Sequence, residues 1–136
     1  MVALIKPAPK PMRESGIKAD IRIDLGTEPD ITLWSNAKWE GFAESGKYVS
    51  AGLPDGSPDL IGILMVAVLI GGRTRMIGRF FALEVKKPGA YTAPERVAAQ
   101  ARFAEAIRRM GGFCAQVESK QEARAALLRA RRGEDR

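Results

Sequence analysis

Histidine is absent from this 136-residue chain. Its absence excludes Ser-His and Cys-His nucleophilic catalysis, histidine general bases and His-ligated zinc. Cysteine occurs once, at Cys114, which excludes an internal disulfide and a cysteine zinc cluster. No apolar run approaches the roughly 20 residues a membrane helix needs. The strongest one, Leu60 to Ile70, is broken by Gly62. No internal repeat is present. Met1 to Met12 hold three prolines and two lysines and lack the apolar centre of a secretory signal. A reduced, cytoplasmic setting without membrane contact is therefore expected. Enzyme chemistry in such a chain must run on carboxylates, lysine and a hard metal ion.

What the chain does have is apolar content and positive charge. Hydrophobic residues make up 46%, enough for one compact core and unlike a disordered segment. The formal net charge is +6, which favours a polyanionic partner. Residues 1–12 read as a flexible arm, 13–131 as a single domain and 132–136 as a polar tail.

Two short motifs carry the chemistry. Ser57-Pro58-Asp59 lies before the apolar run, and Glu84-Val85-Lys86 closes the segment beginning at Arg79. Leu60 to Ile70 is rich in Ile, Val and Leu and ends at Gly71-Gly72, so it reads as a buried strand entering a turn. A two-residue turn there places Asp59 opposite Glu84 on one side of the sheet. The polar segment Arg73 to Gly78 leaves room for a longer loop instead. Period two puts Glu84 and Lys86 on one face and Val85 and Lys87 on the other, which favours Lys86 as the site lysine. Two carboxylates suit a hard divalent cation. Such a cation neutralises a scissile phosphate and acidifies bound water. A nearby ammonium orients the attacking water or stabilises charge developing on the phosphate. The competing reading is a pair of solvated strand ends.

Around these motifs the periodicity predicts α/β organisation with a mixed sheet. A helix is expected from Arg13 to Leu25, with Ile17, Ile21 and Leu25 inward and Glu14 at the edge of that stripe. Asp30 to Ser35 reads as a strand with Trp34 in the core, Asn36 to Gly46 as a loop around Trp39, and Lys47 to Ala51 as a short strand. Thr92 and Glu95 have capping-box spacing for a helix to Met110, with Val97, Ala101, Ala104 and Ile107 inward. Gln100 falls within that stripe. Phe113 to Val117 is a strand. Ser119 and Glu122 open a last helix with Ala123, Ala126, Leu127 and Ala130 inward. Met76 and Ile77 suit a dimer interface or a cap on the monomer core. Lys87, Tyr48 and Tyr91 flank the motifs and suit phosphate contact or solvent; loop packing suits Trp39 better than DNA contact.

The ordered set Gly52-Leu53-Pro54-Asp55-Gly56-Ser57-Pro58-Asp59-Leu60-Ile61-Gly62, Phe81-Ala82-Leu83-Glu84-Val85-Lys86, Gln100, Phe103 and Gly111-Gly112 resembles the VRR-NUC domain. That family lies in the PD-(D/E)XK nuclease superfamily, and its stand-alone, phage-type members are the most similar. The resemblance runs from about Glu14 to Leu128. It implies a restriction-endonuclease-like fold, a mixed central sheet flanked by helices, and dependence on Mg²⁺ or Mn²⁺. It implies metal ligation by Asp59, Glu84, the Val85 carbonyl and Glu14, with Lys86 catalytic and Gln100 beside the metal. It further implies a homodimer acting on branched DNA such as a Holliday junction. Glu14 also suits a helix-dipole partner and Gln100 a satisfied buried amide. A non-catalytic nucleic-acid-binding protein is the alternative function.

Overall fold

The computed structural model describes residues 12–136; of the expected N-terminal arm, all but Met12 lies outside the described residues. Helix α1 (Glu14–Leu25) is followed by β1 (Ile31–Ser35), β2 (Trp39–Phe42), β3 (Tyr48–Ala51), β4 (Leu60–Ile70) and β5 (Arg73–Val85). Then come α2 (Pro94–Arg109), β6 (Phe113–Val117) and α3 (Lys120–Arg131). The main sheet has the order β1-β4-β5-β6, and β2 and β3 form a separate two-stranded ribbon. β4 is antiparallel to β1 and β5, while β6 runs parallel to β5, so the sheet is mixed as the sequence predicts.

The alternation in β5 sorts the molecule into layers. Phe81, Leu83 and Val85 point to one face and join Ile17, Ile21 and Leu25 of α1 with Ala123, Ala126, Leu127 and Ala130 of α3. These are the helix stripes expected from the sequence, and all are buried. Phe81 and Phe113 stack across the parallel ladder with ring centroids 5.1 Å apart. Arg124 and Arg131 of α3 clamp Asp24, Glu28 and Asp30, at N–O distances of 2.7 to 3.0 Å. Helix α2 lies over the opposite face, where Gln100 meets Glu84.

Several local expectations are corrected. Arg73 to Gly78 is strand, not loop. Gly71 and Gly72 both have positive φ, the conformation of the tight turn whose twist matches a hairpin, so the ladder closes at Ile70–Arg73. Trp39 to Phe42 is also strand, because it finds a ladder partner in β3. The Thr92 capping box does not form. Helix α2 starts at Pro94 with Ala93 before it, since proline suits the first helical position and keeps its predecessor extended. No residue of α2 is fully buried, and Val97 is half exposed. Trp34 is 48% exposed rather than core. It pairs with Ile61 on the face that α2 covers, but at the β1 edge. Ser119 does cap α3, its Oγ accepting the Glu122 N–H at 3.1 Å, while the Glu122 carboxylate reaches one residue further back and accepts the Glu118 N–H at 2.6 Å. The polar tail folds back: the Asp135 carbonyl accepts from the Cys114 N–H at 3.0 Å, and Arg108 donates to the Cys114 carbonyl at 2.6 Å. Together these contacts occupy the outer edge of β6 at Cys114. Among the described residues, no helix is long and apolar enough to cross a membrane.

Candidate active site

The register of β4 on β5 decides the site. Leu60 pairs with Leu83, so one step further Asp59 stands opposite Glu84, as the two-residue turn predicts. The ladder ends there. Asp59 Oδ2 takes over as acceptor and receives the Val85 N–H at 2.8 Å. The Val85 side chain is in the core, so its main chain alone faces the site.

The turn that delivers Asp59 is held from two sides. Asn36 Nδ2 donates to Ser57 Oγ at 2.8 Å and to the Pro58 carbonyl at 2.9 Å, and the Asn36 N–H donates to the Asp59 carbonyl at 2.8 Å. On the other side, Gly56 (φ +87°) lies so close to α2 that a Cβ there would be 2.4 Å from the Ala99 carbonyl carbon. Glycine is required twice over, by its dihedral and by this approach.

Glu84 is buried under α2. Gln100 Nε2 donates to its Oε1 at 2.9 Å, and Lys86 Nζ lies 3.2 Å from the same oxygen. Burial and the neighbouring charge of Asp59 push the Glu84 carboxyl up to about 7, against the opposing pull of Lys86. Lys86 is itself largely enclosed, whereas Lys87 is exposed. The strand parity expected from the sequence therefore selects Lys86.

Glu14 comes to the site by way of a residue the sequence reading missed. Lys18 lies one helical turn after Glu14, with Nζ 3.1 Å from Glu14 Oε1 and 2.9 Å from Asp59 Oδ1. Partial burial opposes its charge, but the bonds and charges of Asp59 and Glu14 outweigh that and raise the Lys18 ammonium above its usual range. The available signal was the Glu14–Lys18 spacing, which places both side chains on one flank of α1. Asn36 had none, since its partners are 21 and 22 residues away.

The site opens into a cleft of about 450 Å³ between α2 and the sheet, lined by Pro58, Glu84, Lys86, Lys87, Gln100 and Arg108 among others. A larger hollow of about 1050 Å³, along the β4–β5 hairpin, shares Arg108 with this cleft but lacks Asp59, Glu84 and Lys86. Glu84 lines the smaller cleft, whereas Asp59, Glu14 and Lys18 do not. The two carboxylates Asp59 and Glu84 offer oxygen donors, and a cation (Lys18) already rests on Asp59, which fits a hard divalent ion. Among the described residues, no three acidic or cysteine side chains close into one ligand group. Cys114 is buried, and that burial pushes its thiol up to about 11, away from reactivity. Comparisons with family models, curated proteins and solved structures gave no significant match.

Proposed function

We propose that this chain is a divalent-metal-dependent endonuclease of the VRR-NUC type, with a restriction-endonuclease-like fold, that hydrolyses phosphodiester bonds in branched DNA. The observation that carries the reading is the meeting of Asp59 and Glu84 across the end of one ladder, with Lys86 bonded to Glu84. A solvated pair of strand ends would not place one carboxylate under a helix and bond it to both an amide and an ammonium.

Asp59, Glu84 and the Val85 carbonyl would hold Mg²⁺ or Mn²⁺, and Glu14 is the nearby further carboxylate. When bound, the cation supplies charge neutralisation at the phosphate and an acidified water. Lys86 would orient the attacking water or stabilise charge gathering on the phosphate. Gln100 holds Glu84 in place by donating to Oε1. Arg108 and the exposed Lys87 line the same cleft, where positive charge attracts a phosphate backbone.

One such site cuts one strand, and resolving a junction takes two coordinated cuts. A two-fold homodimer supplies the second site by symmetry. The hairpin tip offers its surface, because Leu69, Ile70, Met76 and Ile77 are exposed there. The deciding experiment incubates pure protein with four-way-junction, linear and single-stranded DNA, with Mg²⁺, Mn²⁺ or EDTA. Metal-dependent cleavage of the junction, lost in Asp59→Asn and Glu84→Gln, is the expected result. DNA binding without cleavage under every metal condition would instead mark a non-catalytic nucleic-acid-binding protein.

A further inference from the structure

We propose that Lys18 is an internal counter-ion that competes with the divalent cation for Asp59 and thereby sets how tightly the site takes up metal. The inference rests on the reading of Asp59 and Glu84 as metal-holding carboxylates.

Both oxygens of Asp59 are engaged by the protein itself. Oδ2 accepts the Val85 N–H at 2.8 Å, and Oδ1 faces the Lys18 ammonium at 2.9 Å. A cation approaching Asp59 therefore has to displace Lys18 from Oδ1 or share that oxygen with it. Sharing places two positive centres within a few ångströms of each other in a partly enclosed cleft, which is strongly unfavourable. Displacement is the easier course. The Lys18 side chain is 31% exposed, and its four-carbon stem is flexible. Glu14 lies one helical turn away and already bonds the ammonium at 3.1 Å. Lys18 can release Asp59 and keep Glu14, in which case Glu14 holds the ammonium rather than the cation.

The contrast with Lys86 supports this division of roles. Lys86 bonds Glu84 at 3.2 Å and is only 12% exposed, so it has little freedom to leave. Each of the two carboxylates thus has its own lysine, a fixed one on the strand and a releasable one on α1. Lys18 balances Asp59 beside buried Glu84, where the two acids otherwise repel. The same contact that offsets this repulsion opposes metal uptake.

The test is calorimetric titration of Mn²⁺ into wild type, Lys18→Met, Lys18→Arg and Asp59→Asn at constant pH and ionic strength. Methionine is a good helix former, and the position is half-exposed, so the fold should tolerate it. Lys18→Met should bind Mn²⁺ about tenfold more tightly than wild type, the scale of one close charge pair in such a setting. Lys18→Arg, which keeps the charge, should retain the wild-type affinity. In EDTA, Lys18→Met should melt below wild type, and Mn²⁺ should reverse that order. Equal or weaker Mn²⁺ affinity in Lys18→Met, with wild-type binding abolished by Asp59→Asn, overturns the competition and leaves the metal reading standing. Binding unaffected by Asp59→Asn, or absent from every protein, overturns both.

Discussion

Glu84 is an acid placed where its charge is costly, and that cost can be measured. Burial and then the charge of Asp59 disfavour the anion and push its carboxyl up to about 7 from a usual 4.5, against the pull of Lys86. The folded protein therefore holds a proton that the unfolded chain has released. The resulting stabilisation is complete below 4.5 and is lost as pH rises through about 7. Denaturant melts in EDTA should show stability falling across that window in wild type. Glu84→Gln, which cannot ionise, should flatten the fall, and an unaltered slope would mean that Glu84 is not the titrating group. The neighbouring lysines separate by the same logic of placement. Lys86→Ala should lower single-turnover cleavage by about two to four orders of magnitude with modest loss of DNA affinity, as expected for a group acting in the transition state. Lys87→Ala should reduce affinity slightly and leave the chemical step intact. Equal effects from the two would show that facing the same side as Glu84 does not matter.

At the scale of elements, the site is a joint between the end of the β4–β5 ladder, the turn before it and helix α2. Gly56 is where the turn and helix touch. Gly56→Ala should cost about 2–4 kcal/mol, combining a left-handed dihedral with a clash against helix backbone. It should also lower cleavage, because pushing α2 away moves Gln100 off Glu84. Gly71→Ala is the control. Its φ is +59° but nothing lies within 4 Å of the added carbon, so the cost should be about 1 kcal/mol, with cleavage unaltered in the folded fraction. Urea denaturation and a cleavage assay on both variants check this. A Gly56→Ala protein with normal activity would show that α2 does not position the site.

For the whole molecule, the expectations concern assembly and charge. The β4–β5 arm extends beyond the residues that β1 and β6 pair with, and two-stranded ribbons are marginal alone. Light scattering at micromolar concentration should give twice the 14.8 kDa chain mass, and Met76→Glu should shift it toward the monomer. A 14.8 kDa species that still cuts both strands of a junction symmetrically would sink the dimer. A dimer that survives Met76→Glu must use another surface. With a net charge of +6, DNA binding should weaken steeply with salt, at a logarithmic slope of about −0.9 per phosphate contacted. A shallow slope in a fluorescence-anisotropy titration, or strong preference for one linear sequence, would argue against a reader of DNA shape.

The sequence by itself determined the parts that rest on short-range periodicity. Alternation in Phe81 to Lys86 put Glu84 and Lys86 on one face, and Gly71-Gly72 made the register with Asp59 opposite Glu84 available beside a longer loop; the ladder through Arg73 decided between them. The stripes of α1 and α3 followed from helical spacing, because their apolar positions repeat every three or four residues. The tertiary structure decided whatever depends on what happens to lie across a gap. Trp34 alternates like a core residue, yet it is half exposed, because α2 does not shield that edge of the sheet. The stripe of α2 looked inward, yet none of its residues is fully buried, since Val97, Ala101 and Ala104 line an open cleft between the helix and the sheet. Asn36 reached the Asp59 turn, and Arg124 reached Asp24 a hundred residues away, through contacts with no local signature. Lys18 belonged to a helix whose pattern was legible, but its hold on Asp59 required α1 and the end of β4 to meet. Periodicity is a property of the backbone and is written locally; the neighbour across a cleft is set only when the layers close.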